Sequence, residues 1–478
     1  MKRFATPPSL PRVLGRRDVF ALAFGAIIGW GWVVLSGPMI DQAGTLGSVA
    51  AVVIGALMVA LVGLTYAELT ASMPRAGGEL GFTYVGIGPA WSWWCGWWLA
   101  LAYVGVCAFE AVAIGSVLTS VVPQLRVEPL YVVAGSPVYW PGLVVGVGMA
   151  LLVGAANWVG AQMSARLQWL ATAGLLGIGV VLFAAAGLYG QAANLEPRFL
   201  GWAGLLNALT VTPFLFVGFD VIPQAAEEMR LQPRQVGSII LFAIGLAAVW
   251  YALVQWSVGV GLPFTEHAAS ELPTADAAAR LTGQEAARWA IVAGGALGIL
   301  TSWNAFVMGA TRLLFAMGRA AMLTPVWSRL HVRYGTPSFA IGFVTLCAAL
   351  APFFGRQALV WLADVASLAT VGAYMFVAVA FVRLRRLRPH MERPYRAAWG
   401  RVVGPLAVAV TVGFVVLYLP PSPSALAWPH EWAIVAAWGI TGAAIFARAR
   451  LSPGWRDAEG RSRALLGAVA VRVEEGGS

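Results

Sequence analysis

The stretch that decides the fold is FGAIIGWGWVVLSG, Phe24–Gly37. It sits in an apolar run of membrane-crossing length, yet carries Gly29-Trp30-Gly31-Trp32 at its centre. A glycine in a helix interior costs about 1 kcal/mol relative to alanine, so Gly29 and Gly31 together invite the backbone to open. Open backbone at bilayer depth is tolerated only where it lines a cavity or is buried in protein. The stretch therefore predicts a break in a spanning helix and a binding site at that break.

The rest of the chain supplies the membrane context. Its 478 residues are 59% hydrophobic and only 11% charged, with a mean hydropathy of +0.77, whereas about a quarter of a soluble domain is charged. Apolar runs long enough to cross a hydrocarbon core of about 30 Å recur from end to end. The expected fold class is an all-α polytopic membrane protein with twelve transmembrane helices. Candidate spans fall at 19–40, 48–72, 90–122, 138–157, 163–189, 203–225, 237–262, 287–318, 338–354, 358–382, 403–420 and 429–447. Span three is longer than the bilayer is thick and must tilt or protrude. The opening MKRFATPPSLPRVLGRRD is basic and proline-broken and runs into a full-length apolar segment, which argues against a cleavable signal peptide.

Charge gives the orientation. All but five of the 31 basic residues (Arg126, Arg198, Arg280, Arg288 and Arg356) fall on the side of the N-terminus. By the positive-inside rule both termini are cytoplasmic, in a multi-pass protein of the cytoplasmic membrane. The net charge of +10 is thus a signal of topology and anionic lipid, and nucleic acid is not an expected partner. Cys95, Cys107 and Cys347 lie in apolar runs without ligand spacing, and the four histidines lie in connections. No metal and no cofactor is expected.

A break in span one asks for a partner five helices later if the fold is an inverted repeat. Span six reads TPFLFVGFDVIPQAAEEM, Thr212–Met229, with Gly218, Asp220 and Pro223 within six residues. Glycines alone would be explained by close helix packing; matched breaks in spans one and six point instead to a midplane site. The expected organisation is a cytoplasmic segment 1–17, a first repeat 18–189 and an inverted second repeat 203–382. Two further helices at 403–447 and a cytoplasmic tail at 448–478, rich in Arg, Gly and Glu and read as partly disordered, complete it.

The residues also resemble a known family. GAIIGWG in span one, YAELTASMPRAGGELGFTYVGIGP (Tyr66–Pro89), FVGFDVIPQAAEE in span six, TRLLFAMGR (Thr311–Arg319) and TPSFAI (Thr336–Ile341) occur in the order and spacing of the amino acid–polyamine–organocation (APC) transporters. The resemblance implies a five-plus-five inverted repeat with two added helices, amino acid or organic amine substrates, alternating access, and no enzymatic activity.

The candidate site follows from the breaks. Opening span one after Ile28 frees backbone N–H groups for a carboxylate, and the carbonyls of Ile27, Ile28, Phe216 and Val217 can accept from an ammonium group. Gly29, Gly31, Gly218 and Phe219 complete the two breaks. Trp30 and Trp32 stand where the family has small and aliphatic residues; they either offer π-faces to a cation or pack between helices. Asp220 is read as an N-cap of the second half-helix, as a proton acceptor, or as both, and Glu110, in VCAFEAVAIG, as a buried acid without an obvious arginine partner. Glu68, Glu227 and Glu228 are expected at the cytoplasmic edge, pairing with Arg75, Arg230 or Arg312 as a gate or standing as solvated charges. The lysine that proton-coupled relatives carry in span five aligns with Leu175. Relatives that use sodium would place it among Gly25, Ile28, Thr301 and Ser302, although such hydroxyls are commonly back-bonded. The favoured reading is an amino acid carrier driven by protons through Asp220 and Glu110, or an exchanger; the alternatives are an organic amine carrier using Trp30, Trp32, Glu110 and Asp220, or a sodium symporter.

Overall fold

Span one does not run straight through. In the computed structural model, which describes residues 10–467 except 268, 423 and 424, helix Arg16–Ile27 stops, and the chain resumes as Gly31–Val34 and Ser36–Ala43. Span six is interrupted as well: Thr212–Phe216 ends, Val217 to Asp220 are non-helical, and Val221–Ala225 restarts the helix. Both breaks fall where glycine was expected to open the backbone.

Among the described residues nine helices are long and apolar enough to cross a membrane. They are Thr45–Ser72, Pro89–Thr119, Trp140–Val159, Met163–Tyr189, Pro233–Gly261, Glu285–Arg319, Ala358–Leu387, Gly400–Leu417 and His430–Leu451. The pair Trp202–Thr210 and Thr212–Glu228, bent by 42°, makes a tenth. Span nine is shorter, Ser338–Leu350 extended by a 3₁₀ turn to Phe354. Helix Pro89–Val121 runs for 33 residues, roughly 50 Å at 1.5 Å per residue, and so overshoots the bilayer as expected. A hairpin, Tyr131–Val133 with Ser136–Val138, caps the face opposite the N-terminus.

Two close crossings position the site. Gly218 has φ +125°, and a Cβ there would lie 2.7 Å from both the carbonyl carbon and the oxygen of Ala26. The two broken spans therefore cross backbone to backbone, which only glycine allows. A Cβ on Gly298, in span eight, would lie 2.7 Å from the Gly29 carbonyl oxygen. Span eight thus backs the span-one break directly.

The basic, N-terminal face carries more structure than its sequence suggests. Helix Gly78–Ile87 buries its first six residues there. The tail, expected to be partly disordered, is folded as far as Leu466: Pro453–Arg456 and Ala458–Leu466 are helical, and Ala464, Leu465 and Leu466 are buried. An apolar triplet after a polar stretch gives this last helix a face to dock. The remaining tail residues, 468–478, lie outside the described residues.

Candidate functional site

A small cavity lies at the break. Its walls are Ala26, Ile27, Gly29, Trp30 and Gly31 of span one, Val106, Phe109 and Glu110 of span three, and Phe214, Leu215 and Val217 of span six. Tyr251, Ser302 and Phe306 close it. Its volume of about 20 Å³ holds roughly one water molecule. Above it, on the face opposite the N-terminus, opens a vestibule of about 860 Å³ reaching out to Glu271, Arg356 and Asp364. Trp30, Gly31, Phe109 and Phe214 line both spaces, and the Phe109 and Phe214 rings meet edge-on at 5.4 Å. A thin aromatic floor thus separates vestibule from cavity.

The polar groups in the cavity are few. Among the described residues the amides of Trp30, Gly31 and Trp32 find no backbone acceptor, as the first N–H groups of a half-helix do not. The Ile27 carbonyl accepts from the Tyr251 hydroxyl at 3.0 Å. Glu110 is 2% exposed and its Oε2 has no partner. A Cβ on Gly29 would meet Glu110 Oε1 at 3.1 Å and Ser302 Oγ at 3.4 Å, so acid and hydroxyl converge on the opened backbone. Around them Val106, Phe109, Phe214, Leu215, Val217 and Phe306 present apolar surface.

Several expected residues sit elsewhere. Trp32 does not line the cavity; it packs edge-on against Trp250 at 5.5 Å. Helix phase explains this, since residues two apart point to different sides of a helix. Asp220 does not cap the following half-helix: Oδ1 accepts from the Gly218 amide and the Tyr374 hydroxyl, each at 2.9 Å, and Oδ2 from Tyr103 at 2.8 Å. Both its oxygens are bonded, and it clamps the span-six break to spans three and ten. Phe216 packs on Tyr251 and Phe219 on Tyr66 and Tyr374. The Ile28 and Gly29 carbonyl oxygens approach Gly298. Thr301 donates back to the Gly298 carbonyl at 3.0 Å, while Ser302 stays in the cavity wall.

The amino-acid sequence as a whole matches the family model described as amino acid permease over residues 14–443. The chain belongs to the amino acid permease family. It is 28% identical over 423 residues to the branched-chain amino acid permease BcaP of Bacillus subtilis, covering 86% of this chain and 89% of that one. The methylthioribose transporter of the same bacterium is 26% identical over 417 residues, 85% of this chain and 88% of its own. Human cationic amino acid transporter 4 is 28% identical over 392 residues, 79% of this chain and 60% of its own. The protein is an APC-family permease and not an enzyme.

In this permease the side chains of span five that hydrogen-bond to span one are Gln168 and Thr172; Leu175 is buried and apolar. Gln168 Nε2 and Thr172 Oγ1 donate to the Ala21 carbonyl at 3.2 and 3.4 Å. They crowd the position a Gly25 Cβ would take, at 2.5 and 2.9 Å. Gln168 is held in turn by Asn304, which also bonds Asn157 and Ser164. An amide chain of neutral groups therefore ties spans four, five and eight to span one. Nothing in the local pattern marked it, because polar residues in an apolar helix do not reveal their partners.

The basic face is closed by ion pairs. Glu227 pairs with Arg75 at 3.5 Å and Arg319 at 3.0 Å, and Glu228 with Arg312 at 2.7 Å. Glu68 pairs with Arg385 and Arg393, not with Arg75, Arg230 or Arg312; the connection after span ten folds back over the end of span two. Arg230 instead donates to the Arg12 carbonyl. Val13 and Leu14 donate to the Glu228 carbonyl, so the N-terminal segment is strapped across the same layer.

Proposed function

We propose that this permease carries an α-amino acid with an apolar side chain across the cytoplasmic membrane, driven by protons or in exchange, by alternating access about the span-one break. The observation that carries the reading is the convergence of the Trp30 and Gly31 amides, which have no backbone acceptor, with the Glu110 carboxylate, whose Oε2 has no partner. A substrate carboxylate takes the amides at the positive end of the half-helix. Its ammonium takes Glu110 and the Ile27 carbonyl, and its side chain meets Val106, Phe214, Leu215 and Phe306. Two charges of opposite sign at fixed separation recognise the zwitterion rather than either group alone.

The arrangement of helices supports the twelve-span inverted repeat. Spans three and ten pack together, and so do eight and five; one packs on seven, and six on two; four on three, and nine on eight. Three–ten becomes eight–five, one–seven becomes six–two and four–three becomes nine–eight when every span is exchanged for the one five places away. This is what a pseudo-two-fold axis in the membrane plane requires. With both termini cytoplasmic, the vestibule faces outward and the ion-paired layer faces the cytoplasm. The cavity is too small for an amino acid, so Phe109 and Phe214 must part to admit one.

A second reading has a specific observation in its favour. The unpartnered Oε2 of Glu110, in a cavity that Trp30 also lines, would hold an organic amine without using the amides. Trp32 and Asp220, which that reading first included, stand outside the cavity wall. Thermal stabilisation of the purified protein separates the two, since a ligand of the folded state raises the midpoint. Leucine should shift it and isopentylamine should not; the reverse result would favour the amine carrier, and a shift that requires sodium would move coupling to Thr301 and Ser302.

Two substitutions test the site itself. Glu110→Gln should weaken leucine binding by about tenfold to a hundredfold, the value of one hydrogen bond to a charged group, measured by isothermal titration. Unchanged affinity would return Glu110 to a structural role. Gly29→Val places a branched side chain 3.1 Å from Glu110 Oε1 and should abolish binding while the protein still inserts and purifies as a single species.

A further inference from the structure

A second buried acid lies between the span-six break and the basic face, and the substrate site does not use it. Glu79, in the first turn of Gly78–Ile87, is 0% exposed. Its Oε2 accepts from Gln224 Nε2. Its Oε1, the Gln224 Oε1 and the Tyr66 hydroxyl are all buried without a partner. Among the described residues no arginine pairs with Glu79 or with Asp220, whereas Glu68, Glu227 and Glu228 are all paired.

The surroundings are acids and phenols. Asp220, Tyr66, Cys95 and Tyr103 of span three and Tyr374 of span ten are its titratable neighbours. Tyr66 packs edge-on against Tyr374 at 5.4 Å, and Tyr374 donates to Asp220. Span eight contributes Arg312 and Arg319, held by Glu228 and Glu227, and the tail helix approaches with Leu466. A buried carboxylate with a second acid nearby and no cation is costly as an anion. A proton on Oε1 removes the charge and turns a buried, unpartnered acceptor into a donor beside a second such acceptor, the Gln224 Oε1.

The location gives that proton a direction. Asp220, Gln224, Glu227 and Glu228 follow one another along the second half of span six, helix Val221–Ala225 and the 3₁₀ turn Ala226–Glu228. Along it the contacts run from the tyrosines, through Glu79, to the Arg75 and Arg319 layer. The Ala76 amide, three residues before Glu79, donates to Glu227 Oε2 at 3.2 Å. Glu79 is therefore the first acid inside the closed layer, and a movement of this half-helix that parts Glu227 from its arginines also pulls Gln224 from Glu79.

We propose that Glu79 is a proton-binding site, coupled to Asp220 through the Tyr66–Tyr374 pair, that takes its proton at Oε1 and gives it to water on the basic face when the Glu227–Arg75–Arg319 layer parts. The proposal extends the proton-coupled reading and rests on it for its role in transport, though not for the proton itself. The test combines infrared titration of purified protein, in H₂O and D₂O, with leucine transport in proteoliposomes. A protonated-carboxyl band present in the wild type and in Glu110→Gln should be missing in Glu79→Gln. That variant should keep leucine counterflow but lose about tenfold or more of proton-gradient-driven accumulation, the size of ordinary coupling between sites. An unchanged band together with an unchanged pH profile of uptake would overturn the proposal. Loss of the band in Glu79→Gln with no gradient-driven uptake even by the wild type would uphold the proton site and sink the coupling reading. If Glu79→Gln does not fold, Tyr66→Phe serves: it should move the band by removing the neighbouring hydroxyl, and an unmoved band would refute the coupling.

Discussion

Replacing Gly218 by alanine is expected to lower stability by about 2–6 kcal/mol and to abolish leucine binding. Two costs add. At φ +125° an L side chain is strained by about 1–3 kcal/mol. The added Cβ also falls 2.7 Å from the Ala26 carbonyl group, and overpacking of this kind costs about 1–3 kcal/mol. The obstacle is backbone of the other broken span, which has no rotamer to swing aside. Relief requires spans one and six to separate, and that takes Ile27 and Val217 out of the cavity wall. Gly372 is the control. It lies inside helix Ala358–Leu387 with nothing within 4 Å of its would-be Cβ, so Gly372→Ala should gain up to about 1 kcal/mol. Chemical denaturation of both variants in detergent, with leucine titration of each, makes the comparison. Equal stability of the two would mean that the broken spans do not cross at Ala26.

The same contrast shows what the sequence could and could not disclose. Both breaks were legible because glycine, proline and a buried charge inside an apolar run each have a local cost. Helix Arg16–Ile27 ends within a residue of the expected opening, and the span-six gap at 217–220 includes Gly218 and Asp220. What was not legible is direction around the helix axis. Span three is apolar on nearly every side, so periodicity could place Glu110 at depth but could not aim it at Gly29. Trp30 and Trp32 read alike in sequence, yet one meets the cavity and the other meets Trp250. Partners far apart in sequence were equally hidden. Glu68 finds Arg385, 317 residues away, and Glu79 finds Gln224, 145 residues away. Glu79 stood in view only as a letter of AGGELGF, because its meaning depends on a half-helix that approaches from span six.

Removing the Arg312 side chain should cost about 3–5 kcal/mol, and removing its partner as well should restore most of that. Arg312 and Glu228 are 1% and 2% exposed and joined at 2.7 and 3.2 Å, with a third bond from Arg312 to Thr311. Desolvating the two charges offsets much of their attraction, so the intact pair adds little net stability. One partner left alone is different, because Arg312→Met strands a carboxylate that water cannot reach. The double variant Arg312→Met with Glu228→Gln removes both charges and leaves packing of similar volume. A double-mutant cycle should therefore return a coupling energy that accounts for most of the single-variant loss. Function should not recover with stability. Glu228 also takes the Val13 and Leu14 amides on its carbonyl, so the pair pins span eight and span six beneath the N-terminal strap. Without it the layer on the basic face loses a directional latch and keeps Glu227 and Glu68 with their arginines. Thiol labelling at Ser72→Cys, buried at the end of span two, should then be faster in the double variant than in the wild type, at equal thermal stability. Equal labelling rates would mean that the pair is a packing element, and that the basic face is held shut by the ion pairs of Glu227 and Glu68.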